Sequence, residues 1–153
     1  MPVAKTEDVA MPFLLMGAFR NLVDAVHRDL AEGGFSGVRP THGFAMQAIG
    51  SGCTSVELAR RLGVSKQAAN KTAQGLEALG LLERHANRLD RRERVLTPTA
   101  RGHEMLRLSA VSFRRELRRW RGEVGDDHVE ATLVTLARVG SGGRSLTDLS
   151  DWT

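Results

Sequence analysis

The sequence predicts a mainly α-helical fold that carries one small β-hairpin. Three observations predict it. Residues 54–79 read as a helix, a tight turn at Gly63 and a second helix. A charged hairpin follows over residues 81–97, with arginines at its tip. On either side, apolar residues recur every three or four positions, as amphipathic helices require. The expected architecture is a winged helix-turn-helix plus N- and C-terminal helices suited to dimerisation.

The chain has 153 residues, 41% of them apolar, which is enough to bury one core. A single domain is expected: arms at 11–50 and 103–140, the helix-turn-helix and hairpin at 51–102, and a flexible tail at 141–153. A net charge of +4 favours a polyanionic partner without naming one. Cys53 is the only cysteine, which excludes an intrachain disulfide and a CxxC metal site. The apolar run from Phe13 to Ala18 follows Glu7 and Asp8 and soon meets Arg20, unlike a signal peptide. No apolar run reaches membrane-spanning length. A cytoplasmic protein without a membrane partner is expected.

The first arm predicts a helix over 11–32, with Leu15, Phe19, Leu22, Val26 and Leu30 on one stripe and Gly33-Gly34 at its end. A short helix near 41–50 bridges to the central unit, and Gly50-Ser51-Gly52 breaks it. The next helix ends at Leu62-Gly63, where a steep crossing needs left-handed or crowded backbone. Ser65 is a good N-cap for the helix after it. Leu58, Leu62, Val64, Ala69 and Leu76 supply the shared core, with small Ala59 inside the corner.

The helix at 65–79 carries the functional signal. Ala69, Thr72, Ala73, Leu76 and Leu79 gather on one face, and Gln67, Asn70, Lys71 and Gln74 on the other. The outward set is long, polar and free of acids. Asn and Gln match adenine edges, and Lys matches guanine or phosphate. Two of the three lysines, Lys66 and Lys71, lie here. Ser65, Lys66, Gln67, Asn70, Lys71 and Gln74 are therefore the candidate readers of double-stranded DNA. A solvated helix face is the bland alternative, but the turn before and the hairpin after weigh against it.

The hairpin pairs 81–84 with 93–97 across a tip at 85–92. Arg88, Arg91 and Arg92 in that tip, with Arg94 beyond it, suit the negative potential of the minor groove. Asp90 is expected to accept from turn N–H groups and to pair with Arg92, holding it extended.

The second arm predicts a helix from Gly102 to about 121, striped by Leu106, Ala110, Phe113, Leu117 and Trp120 and interrupted at Gly122 and Gly125. A last helix runs to Val139, with Val129, Leu133 and Leu136 aligned. In the arginine-rich run 114–121, Leu117 and Trp120 face the core. The arginines extend toward acids such as Glu123, Asp126 and Asp127 of a partner chain. Helices this large find too little to cover them inside a thin central unit, so a second copy is expected.

These residues resemble the MarR family of winged-helix transcriptional regulators. The matching positions are Leu58-Ala59, Leu62-Gly63-Val64-Ser65, Leu76-Glu77, Gly80-Leu81-Leu82-Glu83-Arg84, Asp90-Arg91-Arg92 and Thr99-Ala100-Arg101-Gly102. One departure is Pro98, where the family usually has leucine; the second strand should end there or run as an edge. The resemblance implies a homodimer with two reading helices one DNA turn apart, about 34 Å. It implies most often a repressor of a palindromic operator, with Arg92 in the minor groove and Asp90 orienting it. It also implies relief by small aromatic acids or phenols bound between the arms and the central unit. Arg20, His27, His42, Phe44 and Met46 are the candidate lining. Some relatives use a reactive cysteine on the first helix. Cys53 instead precedes the central unit, so a buried or inert thiol is expected.

No enzyme is expected. The glycines at 50, 52 and 140–143 lack the strand context and lysine of a nucleotide loop. His27, His42, His85, His103 and His128 show no HxxxH spacing. His42 and His103 would have to meet from separate helices, and neither a metal nor a cofactor is expected. The alternative function is an architectural or protein-interaction module without ligand response.

Overall fold

In the computed structural model, residues 8–140 are described; the expected tail lies outside the described residues. A 3-10 turn at Asp8–Ala10 leads into α1 (Met11–Glu32). Then come α2 (Pro40–Ile49), β1 (Cys53–Thr54), α3 (Ser55–Leu62) and α4 (Lys66–Ala78). Strands β2 (Leu82–Ala86) and β3 (Arg94–Pro98) precede α5 (Ala100–Val124) and α6 (Asp126–Gly140).

Local chemistry fixes the central unit. Thr54 Oγ1 accepts from the Glu57 N–H at 3.2 Å, and Glu57 Oε2 accepts from the Thr54 N–H at 2.9 Å, a reciprocal cap that starts α3. Gly63 takes the left-handed conformation (φ 67°) expected at the corner. Ser65 Oγ accepts from the Ala68 N–H at 3.1 Å and starts α4, as its N-cap position predicts. The Thr-x-x-Gly motif proves to be a joint between the wing and α5. Thr99 Oγ1 donates to the Gly80 carbonyl at 2.5 Å and accepts from the Gly102 N–H at 3.1 Å. At Gly102 a Cβ would lie 2.1 Å from the Leu81 carbonyl oxygen. Only glycine lets α5 start this close to β2.

The sheet is antiparallel in the order β1-β3-β2. β1 was not expected, because two residues carry no alternation for a sequence reading to detect. β3 ends at Pro98, as expected, but it is the central strand and not an edge. The core runs from Val26, Leu30, Met46 and Ile49 through Leu58, Leu62 and Leu76 to Leu81, Leu82, Leu96 and Met105.

The arms depart from expectation in three ways. First, the buried stripe of α5 is Gly102, Met105, Ser109, Ser112 and Glu116, not the apolar stripe beside it. Ala110 is exposed, and Leu106, Phe113, Leu117 and Trp120 are only half-buried. The reason lies on α1: Asp29 accepts from Ser112 Oγ and from the Arg115 guanidinium, so a polar face packs on a polar partner. Arg115 and Ser112 hold the Asp29 carboxyl below the usual carboxylate range. Second, Gly122 does not interrupt α5, which continues to Val124; Gly125 (φ 92°) ends it. A helical glycine costs about 1 kcal/mol, and ion pairs flank this one. Third, the arginines find acids in their own chain. Arg119 pairs with Glu116 and Glu123 at 2.9 and 3.2 Å, and Arg121 meets Asp126 and Glu130, each at 3.6 Å.

Candidate nucleic-acid interface

Helix α4 presents Lys66, Gln67, Asn70, Lys71 and Gln74 along one shallow surface. All are exposed except Asn70, which is half-buried. The opposite face is sealed, with Ala69, Ala73 and Leu76 at 0% exposure. No acid lies in the first turn of α4. The outward surface is therefore donor-rich and amide-rich, the chemistry that matches base edges and phosphates.

The wing stands beside it. Arg88, Asp90, Arg91, Arg92 and Arg94 are all exposed. Asp90 Oδ1 accepts from the backbone N–H of Arg92 at 2.9 Å, and the Glu93 N–H donates to the Asp90 carbonyl at 3.2 Å. The carboxylate thus closes the turn on the backbone of Arg92. The expected bond to the Arg92 guanidinium is not formed, because the short Asx turn spends the carboxylate locally. Asn87 makes the same kind of turn, its Oδ1 accepting from the Leu89 N–H at 3.0 Å. Two side chains here escaped the sequence reading. Leu89 sits at the tip, 97% exposed. Arg84 ties the base of the wing to α4, donating from Nε to Glu77 Oε2 at 2.9 Å. The GLLER motif contained that arginine, but its partner lies seven residues earlier on another element.

This constellation joins a helix whose outward face carries no acid to an arginine-bearing wing, and residues 44–93, which hold both, match the model of the MarR family. That segment, about a third of the chain, is similar to the MarR family, and the fold around it is a winged helix. Solved MarR-like structures extend the likeness along the chain. FabT of Streptococcus pneumoniae, solved in complex with DNA, has a TM-score of 0.75 at 18% identity, covering 94% of this chain and 97% of that one. A MarR protein from Peptoclostridium difficile gives 0.71 at 20% identity, covering 93% and 92%. A MarR-family regulator from Rhodococcus sp. RHA1 gives 0.69 at 17%, covering 92% and 99%. At these identities the likeness establishes the fold. Comparison with curated proteins gave no match.

A second concavity of about 370 Å³ lies between α1, α2 and α5. His27 and Phe44 line it, with Val23, Leu30, Gln47, Ser109 and Phe113. The other three candidates are elsewhere. Met46 is fully buried core, and Arg20 is exposed on α1 away from the lining. His42 turns toward α4: its Nδ1 accepts from the Arg39 N–H at 3.1 Å, and a Cβ at Gly75 would lie 3.2 Å from its Nε2. The candidates lie on α1 and α2, both of which border this cleft, but only His27 and Phe44 turn into it. Burial, Arg39 and His27 lower the His42 pKa, which favours the neutral ring. His27 Nδ1 lies 3.1 Å from the Val38 carbonyl, to which it donates. Among the described residues, no arginine or lysine lines the cleft, and no group of three or more His, Cys, Asp or Glu side chains converges.

Cys53 is buried on β1, and burial pushes its thiol pKa up, against the opposite pull of Arg61. A protonated, buried thiol is a poor nucleophile. No described helix is long and apolar enough to cross a membrane.

Proposed function

We propose that the chain is a homodimeric transcriptional repressor that reads a palindromic operator with α4 and grips the adjacent minor groove with its wing. The observation that carries this reading is the outward face of α4, where Lys66, Gln67, Asn70, Lys71 and Gln74 share one acid-free surface beside exposed wing arginines. The DNA complex of FabT supports it, since that protein has the same fold. A DNA partner fits a cytoplasmic location.

Dimerisation has its own support. Phe13, Leu14, Leu15 and Phe19 on α1 and Leu133, Val134, Leu136 and Val139 on α6 are all exposed in the single chain. A second copy would cover apolar surface of this extent. For relief of repression, the arm cleft suits a small phenolic ring. Its lining offers His27, Gln47 and Ser109 as hydrogen-bonding groups and no described cation, so a neutral phenol fits better than an aromatic carboxylate.

The test is base readout. Asn70→Ala and Gln67→Ala should each weaken specific binding by about 1–3 kcal/mol per lost bidentate contact and leave non-specific binding nearly unchanged. Specific affinity untouched by both substitutions would mean that α4 is not the reader. Tight salt-dependent binding without a preferred site would favour an architectural module instead.

A further inference from the structure

A third concavity, of about 190 Å³, opens between the first turn of α3, the outward face of α4 and the wing. Lys66 and Asn70 enter it from α4, Arg84 from β2, and Arg92 and Arg94 from the wing. Ser55 lies at its α3 edge, and Glu93 is the single acid. Four cations from three elements thus line one small space.

Their pairing is uneven. Glu77 holds Arg84 through Nε at 2.9 Å, so this guanidinium is fixed in place, and its Nη2 has no hydrogen-bond partner among the described residues. Lys66, Arg92 and Arg94 have no ion pair among the described residues. Four cations against Glu93 in the lining and Glu77 behind Arg84 leave an excess of positive charge, and a multiply accepting anion relieves the resulting repulsion while taking their N–H donors. The space is large enough for a tetrahedral oxyanion, and its cationic lining favours an anion over a neutral base.

We propose that this cleft seats one phosphate group, which bridges the reading helix and the wing. Its source is a backbone phosphate of the bound duplex, so the inference rests on the DNA-binding reading above and deepens it. On this account Lys66 and the wing arginines do not contact separate phosphates. They share one, and so fix the angle between α4 in the major groove and the wing beside it. Arg84 is a positioning residue that Glu77 holds at the floor.

The experiment is a double-mutant cycle read on a duplex that the protein binds, with Lys66→Gln, Arg94→Gln and the double variant, by fluorescence anisotropy. Each single variant should lose affinity by about tenfold. The double should lose clearly less than the product of the two, because the shared phosphate is already released. Methylphosphonate replacement, one phosphate at a time, should reveal one position per half-site where wild type and Lys66→Gln bind equally. Losses that multiply, with no such position, would overturn the proposal in favour of two separate phosphates. Inorganic phosphate supplies the other arm. Millimolar phosphate that binds the free protein at Lys66 and Arg94, while the variants keep full DNA affinity, would assign the cleft to a free anion and overturn the backbone source. A protein that binds no duplex at all would overturn the DNA-binding reading itself, an outcome distinct from multiplicative losses on bound DNA.

Discussion

The central unit and the arms solve the same problem in different ways. In the unit formed by β1, α3, α4, β2 and β3, the large side chains point inward: Leu58, Leu76, Leu81 and Leu96 are all at most 1% exposed. The polar side chains point outward and stay available. In the arms the pattern is mixed: Val26, Leu30 and Met105 join the core, but polar residues are buried and apolar ones exposed beside them. Ser109, Ser112 and Glu116 are buried between α5 and its neighbours, whereas Phe13, Leu14 and Val139 stand more than half exposed. The unit's core is closed by Val26, Leu30, Met46 and Met105 of the adjoining helices within the same chain. An arm that leaves Phe13, Leu14 and Val139 more than half exposed has apolar surface that a second copy could cover. On the proposed function, the contrast leaves the central unit as a surface for DNA and the arms as the surface for a second copy.

The largest effect should come from breaking the seal. Gly102→Ala would place a Cβ 2.1 Å from the Leu81 oxygen and 3.0 Å from Met46 Cε. Neither backbone nor core can yield that far, so a loss of about 3 kcal/mol or more is expected in urea unfolding. A loss below about 0.5 kcal/mol would mean that the joint between wing and α5 is looser than described.

The arms respond differently. Leu133→Asp with Leu136→Asp, on the exposed face of α6, should convert a particle of twice the chain mass into one of single mass in light scattering. Helical content should be retained. Unchanged mass would place the second copy elsewhere on the surface, or nowhere.

The buried polar seam sharpens the comparison through pH. Asp29 has a depressed folded pKa, so its contribution is complete above the unfolded value near 3.9 and is lost as pH falls through the lower folded value. Asp29→Asn should therefore lower the unfolding midpoint at pH 7, and its deficit should shrink progressively below about pH 4. A deficit independent of pH would show that the carboxylate charge contributes nothing to the α1–α5 contact.

The smallest effect expected is at the wing. Asp90→Ala removes the acceptor that closes the turn on Arg92 and should weaken DNA binding by about 0.5–1.5 kcal/mol, despite removing a negative charge. A model based only on net charge predicts tighter binding, so the sign alone distinguishes an organised tip from a merely basic one.

The same contrast explains what was legible in the sequence. Gly63 and Ser65 act through their own backbone neighbourhood, so residue type and spacing revealed them. The Thr99-x-x-Gly102 motif was visible only through the family resemblance, and its role as a joint depends on Gly80 and Leu81, which precede it by about 20 residues. The buried stripe of α5 was misplaced by about one residue, because Ser112 and Glu116 bury themselves against partners far along the chain, and apolar periodicity cannot register that. Arg84 was visible as part of a motif, but its tie to Glu77 exists only once β2 folds back on α4. Of the cleft candidates, His27 and Phe44 line the concavity between α1, α2 and α5. His42 and Met46 share helix α2 with Phe44 but turn toward α4 and the core.

The most direct test of the central claim is selection of duplexes from a randomised library by the purified full chain, followed by sequencing. The account predicts enrichment of one inverted repeat whose half-sites lie about 10 base pairs apart, centre to centre. Recovery of unenriched sequence, or of a single half-site bound by a monomer, would contradict it.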